Sequence, residues 1–206
     1  MSEHDTESEN IEETYTRPLQ LQEYEIIYDE NIIVRTSEKD QTYNFKIAQR
    51  KIDDNSSEVR VEMTLENDIY SVKQFIMDSD AYKEWIRHQK YRKCKFENFA
   101  EHLRTILENS RTNRSAYNVR FLENDDFYML ELQQRLEFKT VDIFNLEFHD
   151  MDPNDQYVHD QAQYRYHLKI SDYNDKKNEL RQLLDFVNKK NPTLGTQLRR
   201  GLKIDL

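Results

Sequence analysis

Apolar and polar residues alternate along the first part of the chain, a pattern that predicts β-strands. The alternation covers four stretches, residues 24–36, 41–52, 57–65 and 69–77. The first is expected to break into two short strands, because Asp29, Glu30 and Asn31 in its middle favour a turn. The second and third are predicted to pair antiparallel across a turn at residues 53–56.

Residues 78–110 repeat their apolar positions with a helical period instead. Asp78 and Ser79 are good N-cap residues, and they predict the start of a helix. Its core face is predicted at Tyr82, Trp85, Ile86 and Gln89. A second helix follows and ends near Ser110, with its apolar face at Phe96, Phe99, Leu103, Ile106 and Leu107. The two helices therefore form an insertion between strands.

The rest of the chain predicts three more strands and one long helix. The strands are expected within residues 115–122, 126–134 and 138–148. Asp152 followed by Pro153 predicts a helix start, with the aspartate as N-cap and the proline in the first turn. Helix-compatible sequence then continues to Asn191, before Pro192.

The long helix carries apolar residues at alternating spacings of four and three. These positions are Tyr166, Ile170, Tyr173, Leu180, Leu184 and Val187, and the charged residue Lys177 occupies the one remaining seam position. Such a heptad seam, with a polar outer face, favours a short parallel coiled-coil dimer. The alternative is a single amphipathic helix that folds back on the strand-rich part of the chain.

These elements predict an α+β fold: an antiparallel β-sandwich or barrel head with an inserted helix-turn-helix, followed by a long C-terminal helix. The domain boundaries follow the same pattern. They are an acidic disordered tail at residues 1–17, the β-rich head at 18–152, the coiled-coil helix at 153–191 and a C-terminal tail at 192–206.

Composition narrows the possible functions. The formal net charge of −10 argues against nucleic acid and anionic membranes as partners, because both require clustered Lys and Arg. No apolar run approaches the ~18 residues of a membrane-spanning helix. With one cysteine, Cys94, no disulfide can form within the chain, so a reducing compartment such as the cytoplasm is expected.

The sequence presents no catalytic, cofactor or metal site. The two glycines, Gly195 and Gly201, cannot build a phosphate-binding loop, which needs glycine for close backbone approach. The six histidines lack metal-ligand spacing, and the residues from Asp150 onward depart from a calcium loop. The basic run Arg87–Lys95 is interpreted as a solvated helix face, and Cys94 within it as a buried structural thiol.

The order of elements resembles a known head domain. Strands, two inserted helices, three strands and a long helix are the layout shared by the X-ray repair cross-complementing protein four superfamily and the centriolar cartwheel family named spindle assembly abnormal protein six. Residues 78–108 resemble the family's capped helix pair, and residues 136–148 are similar to its aromatic-Lys hairpin. Residues 164–198 resemble the "six-like" branch with a short coiled coil. The helix is predicted to end near Pro192, where cartwheel members continue into a long rod, so the chain is either a piece of such a protein or a member of the short-coil branch.

The resemblance implies a structural protein with two self-association surfaces. Heads would pair through a hairpin that inserts one bulky residue into a neighbouring head, which by position is Phe138, beside Lys139. Helices would pair through the coiled coil. In the alternative reading of residue 138 its ring points into the head core.

The implied partners are further copies of the chain, as homodimer and higher oligomer, and other centriolar or cytoskeletal proteins. The implied location is cytoplasmic and cytoskeletal, at a centriole, basal body or apical complex. A DNA-repair scaffold of the end-joining type, from the same head-plus-coil superfamily, is the alternative function. Localisation to nuclear foci or to a ciliary base distinguishes the two.

Overall fold

The computed structural model describes residues 17–53 and 56–202. Seven strands form a closed barrel in the order β1-β2-β3-β4-β7-β6-β5. The strands are β1 Glu25–Arg35, β2 Asp40–Lys51, β3 Ser57–Leu65, β4 Asp68–Asp78, β5 Tyr117–Glu123, β6 Tyr128–Arg135 and β7 Thr140–Asp150. The helices are α1 Pro18–Leu21, α2 Ser79–His88, α3 Phe99–Thr112, α4 Gln156–Lys190 and α5 Pro192–Leu202. The predicted α+β class, with an inserted helix pair and a long C-terminal helix, is confirmed.

Neighbouring strands pair antiparallel wherever they follow one another in sequence, including the predicted pair β2 and β3. Two thinner junctions close the barrel: β4 meets β7 through two residue pairs, and β1 meets β5 through the parallel pair Arg35 and Arg120. The inserted helix α3 packs against β1, β2 and β5. Its apolar face and the inward faces of the strands together form one aromatic-rich core, whose largest fully buried side chains include Phe45, Phe99, Phe144 and Phe148.

The turn predicted at residues 29–31 is wrong, because β1 runs through it without interruption. Asp29, Glu30 and Asn31 pair directly with Lys46, Phe45 and Asn44 of β2. Their polar side chains find partners on the sheet surface: Asp29 accepts hydrogen bonds from Arg17 Nη1 at 3.0 Å and from Asn44 Nδ2 at 2.9 Å. Side chains that would otherwise favour a turn are therefore satisfied within a continuous strand.

The ends of the helices agree with the predicted caps except at α4. Asp78 caps α2, as predicted, by accepting hydrogen bonds from the backbone N–H groups of Asp80 and Ala81. The start of α4 predicted at Asp152–Pro153 is wrong: the helix begins at Gln156. Asp152 instead accepts the backbone N–H of Asn154 in a preceding turn, and Asp155 accepts that of Tyr157 at 2.8 Å. The second aspartate therefore provides the cap.

The chain divides into two compact units between Ala162 and Gln163, within α4. The second unit contains the rest of α4 and also α5, a helix for which the sequence pattern gave no assignment. The acidic tail predicted at the N-terminus falls almost wholly outside the described residues, so that prediction, like the domain boundaries, remains a prediction.

Candidate self-association surfaces

Phe138 lies at the tip of the hairpin between β6 and β7. The strands pair up to Arg135 and Thr140, and the Leu136 N–H donates to the Lys139 carbonyl at 2.7 Å to close the turn. The Phe138 side chain is 90% exposed, and Glu137 and Lys139 beside it are exposed as well. The alternative in which Phe138 points into the head core is therefore wrong, because no part of the core reaches the tip.

An open cavity of about 500 Å³ lies next to this hairpin, between α3 and strands β5, β6 and β7. Its volume is within the range of roughly 300–1,000 Å³ typical of ligand pockets. The apolar part of its wall is formed by Tyr91, Ile106, Tyr117, Val141 and Ile143. Since Gln134 and Val141 of the same hairpin also line it, the cavity opens within a few residues of the Phe138 tip.

Two polar residues that line the cavity, Lys90 and Asp142, are paired with each other. Lys90 Nζ contacts Asp142 Oδ2 at 2.5 Å, and Gln133 Nε2 donates to Asp142 Oδ1 at 2.9 Å. The hydrogen bond from Lys90, together with that from Gln133 and the positive charges nearby, holds the pKa of Asp142 below its usual range. The cavity therefore combines an apolar part with a charged pair at its edge.

The predicted heptad seam lies on α4 in the second compact unit, and its residues differ in exposure. Tyr166, Ile170 and Tyr173 are exposed, and Leu180 and Val187 are half-buried. Leu184 is buried, at 2% exposure within the single chain. Five further apolar side chains of this unit that lie outside the seam are also exposed among the described residues, namely Leu168, Leu183 and Phe186 of α4 and Leu194 and Leu198 of α5.

Sequence reasoning missed a buried polar cluster that ties the first turns of α4 to β3. Arg60 and Glu62 form an ion pair at 2.8 Å, with both side chains almost fully buried. The Tyr157 hydroxyl donates to Glu62, and Gln161 Nε2 donates to Glu62 Oε2 at 3.2 Å. The spacing of Tyr157 and Gln161, one helical turn apart, was the available signal. Alternation along β3 predicts Arg60 and Glu62 on the outer face of the strand, and it does not indicate that the start of α4 buries them there.

The interpretation of the basic run as a helix face is wrong for most of its length, because α2 ends at His88 and residues 89–95 lie in the connection that follows, whereas Cys94 is buried as expected. Lys90 pairs with Asp142, and Arg87 pairs with Glu84 at 2.7 Å. Cys94 is buried, and burial raises the pKa of its thiol, which disfavours the reactive thiolate.

Within the part of the chain that the structure describes, no group of three or more His, Cys, Asp or Glu side chains is placed to hold a metal ion. Over the same residues, no helix combines the length and apolarity needed to cross a membrane.

Comparison with known proteins gives a family and a fold. The family model described as the centriolar protein SAS N-terminal domain matches residues 14–148. No curated protein matches the chain.

Solved structures with the same fold come from several organisms. An N-terminal fragment of Leishmania SAS-6 containing parts of its coiled coil is 16% identical, with a TM-score of 0.63, covering 84% of this chain and 99% of that one. The N-terminal domain of C. elegans SAS-6 is 13% identical, with a TM-score of 0.52, covering 63% and 99%. An N-terminal fragment of Drosophila melanogaster Sas-6, dimerised via its coiled-coil domain, is 12% identical, with a TM-score of 0.56, covering 86% and 91%.

Proposed function

We propose that this chain, which belongs to the family of the centriolar protein SAS N-terminal domain, is a self-assembling structural protein of the centriole, the basal body or a related microtubule-based apical or flagellar structure. It assembles through two surfaces, one on the head and one on the helix. Its partners are further copies of itself and other centriolar or cytoskeletal proteins. It acts without catalysis, cofactor or metal, since its surfaces are built for contact with protein.

The observation that carries the proposal is the exposure of Phe138. A phenylalanine that is 90% exposed forgoes roughly 2 kcal/mol of burial free energy, and the charged tip around it contributes no core for the ring to complete. Interface anchors are typically aromatic side chains that fill an apolar pocket of the partner, and such a cavity lies next to this ring. Phe138 is therefore assigned as the knob of a head–head contact, with Lys139 beside it.

The cavity next to the hairpin is the matching socket. Tyr91, Ile106 and Val141 present apolar surface there, and the ion pair of Lys90 and Asp142 lies at its edge. Because knob and socket lie close together on one head, two heads related by a twofold axis can each insert Phe138 into the other. Each contact then buries two aromatic rings at once.

Helix pairing through the seam supplies the second surface. Tyr166, Ile170 and Tyr173 are exposed at heptad spacing on a helix, as two parallel chains require for knobs-into-holes packing. A chain with two different self-complementary surfaces builds rings or filaments, because a dimer formed through one surface still has the other surface free to bind a further copy.

The test of the head contact is Phe138→Glu, with Ile52→Glu as the matched control. Ile52 is also an exposed apolar residue in a turn, at 53% exposure, but it lies between β2 and β3, away from the cavity. Neither variant should shift the thermal melting temperature appreciably, since exposed substitutions change stability by less than about 0.5 kcal/mol. Sedimentation should show weaker self-association for Phe138→Glu alone, because an unpaired carboxylate cannot enter an apolar socket.

Equal loss of association in both variants would point to a general charge effect. Unchanged association in Phe138→Glu would remove Phe138 from the interface. Collapse of the head in Phe138→Glu would mean that the ring serves the fold.

A further inference from the structure

A sharp corner separates α4 from α5 in the second compact unit. The last α4 hydrogen bond runs from the Asn191 N–H to the Val187 carbonyl at 2.7 Å. Asn191 then acts as the N-cap of α5, because its Oδ1 accepts the Leu194 N–H at 3.1 Å, and Pro192 follows in the first turn. The two helices are therefore separate elements, each with its own end, rather than one bent rod.

Beyond the corner, α5 lies against the end of α4. A Cβ built on Gly195 would stand 1.7 Å from Asn188 Oδ1 and 3.1 Å from the Asn188 Cα. In a continuous helix residues seven apart are separated by about 10 Å, at 1.5 Å rise per residue, so this approach requires that α5 turns back. Gly195 permits the contact, since a Cβ there would overlap the Asn188 side chain, 1.7 Å from its Oδ1, and would lie close to its Cα.

The face of α4 that α5 approaches includes the C-terminal part of the seam. Leu184 lies one helical turn before Asn188, on the same side of the helix. It is buried at 2% exposure, whereas the seam residue Ile170, beyond the reach of α5, is 40% exposed. Leu184 is thus already covered within a single chain, on the face of α4 against which α5 turns back.

We propose that α5 is an intramolecular cap that competes with a second copy of the chain for the C-terminal part of the seam. The inference rests on the proposed function, because it concerns the same helix pairing. With α5 docked, the free seam is reduced to Tyr166, Ile170, Tyr173 and Leu180, interrupted by Lys177. A seam this short is marginal for a two-stranded coiled coil. When α5 leaves, Leu184 becomes available and the helices can pair over their full length.

The test uses two changes in the full chain that act in opposite directions. Gly195→Leu should displace α5, because leucine cannot fit against Asn188. Dimerisation should then tighten by at least about tenfold, since a larger fraction of the chains has the whole seam free for pairing. The matched control is Gln197→Leu, which adds the same side chain at an exposed position of α5. The pair Asn188→Cys with Gly195→Cys should lock α5 in place when oxidised and weaken dimerisation, reversibly with a thiol reductant.

Sedimentation equilibrium gives the dimer affinity, and hydrogen exchange of residues 192–202 reports whether α5 is docked. Faster exchange with a tighter dimer in Gly195→Leu, and a weaker dimer in the oxidised pair, is the expected result. Unchanged exchange in Gly195→Leu would show that α5 does not lie against Asn188, and faster exchange without a tighter dimer would show that it does not compete. Both results overturn the cap.

Failure of the proposed function gives a different result. Ile170 lies in the seam outside the reach of α5, so Ile170→Asp should abolish dimerisation whether or not the cap exists. If Ile170→Asp leaves the dimer intact, helix pairing itself is wrong. If Ile170→Asp abolishes it and the two cap variants have no effect on affinity, only the cap is wrong.

Discussion

At the scale of single residues, the ion pair of Arg60 and Glu62 controls how the first turns of α4 attach to the head. Glu62 has no exposed surface, and it accepts hydrogen bonds from Tyr157 and Gln161 of α4 in addition to its contact with Arg60. The Arg60 guanidinium also lies over the Tyr157 ring, 4.4 Å from its centre. Removal of one charge from such a cluster leaves the other buried without compensation.

Glu62→Gln should therefore lower the free energy of unfolding by about 3–5 kcal/mol, the range found when a buried ion pair loses one partner. Chemical denaturation measures this change, and hydrogen exchange of residues 156–162 should rise with it. Glu38→Gln, in the exposed loop between β1 and β2, is the control and should change stability by less than about 0.5 kcal/mol. A stability loss no larger than that of the control would mean that the cluster does not hold α4.

Asp142 gives a prediction with a defined pH dependence. Its hydrogen bond from Lys90 lowers its pKa in the folded protein, so its contribution to stability is complete above the unfolded value of about 3.9 and disappears as pH falls through the folded pKa. Asp142→Asn should cost about 1 kcal/mol at pH 7. The difference from the parent should shrink as pH falls below about 4.

Urea denaturation of both proteins at about pH 7 and about pH 3 measures the effect of Asp142→Asn. Asp126→Asn, in the exposed turn before β6, serves as the control with little effect at either pH. A deficit in Asp142→Asn that persists unchanged at the lower pH would assign the loss to packing at the cavity rim.

At the scale of elements, the strands and inserted helices could be predicted from the period of apolar residues. Two predictions failed for different reasons. The start of α4 was placed at Asp152, but Asp155 caps the helix, a choice between two nearby aspartates that cap propensity does not resolve. The turn at residues 29–31 was assigned from turn propensity, but Asn44 and Arg17, partners distant in sequence, satisfy Asp29 within a strand. Local propensity does not report such partners.

The candidate surfaces were only partly predictable for the same reason. Phe138 could be found because an aromatic residue between Glu137 and Lys139 contradicts its local pattern. The cavity beside it could not, because Tyr91, Ile106, Tyr117 and Val141 come from separate elements that only the fold brings together.

The long helix offers a direct comparison between a seam residue and its neighbour. Ile170 and Leu168 are both exposed aliphatic residues on α4, at 40% and 50%, but only Ile170 lies in the heptad seam. Ile170→Asp should abolish helix pairing, because a carboxylate at a packed seam costs several kcal/mol, whereas Leu168→Asp should leave it intact. Circular dichroism melts check that the head of each variant remains folded, and sedimentation measures the dimer. Equal effects of the two changes would argue that pairing does not use the predicted seam.

At the scale of the whole molecule, the two surfaces have different consequences for assembly. A head contact alone, or a helix contact alone, closes after two copies, because each is self-complementary. Both together allow each dimer to recruit the next. The net charge of −10 opposes this growth by mutual repulsion, so assembly is expected to strengthen as salt screens the charges.

The central claim is that the chain has two independent self-association surfaces, and sedimentation velocity over a concentration series tests it most directly. The samples are the parent, Phe138→Glu, Ile170→Asp and the double variant. The parent is predicted to form species larger than a dimer, each single variant to stop at a dimer, and the double variant to remain a monomer at every concentration. Species larger than a dimer in either single variant, or a double variant that still dimerises, would contradict the account.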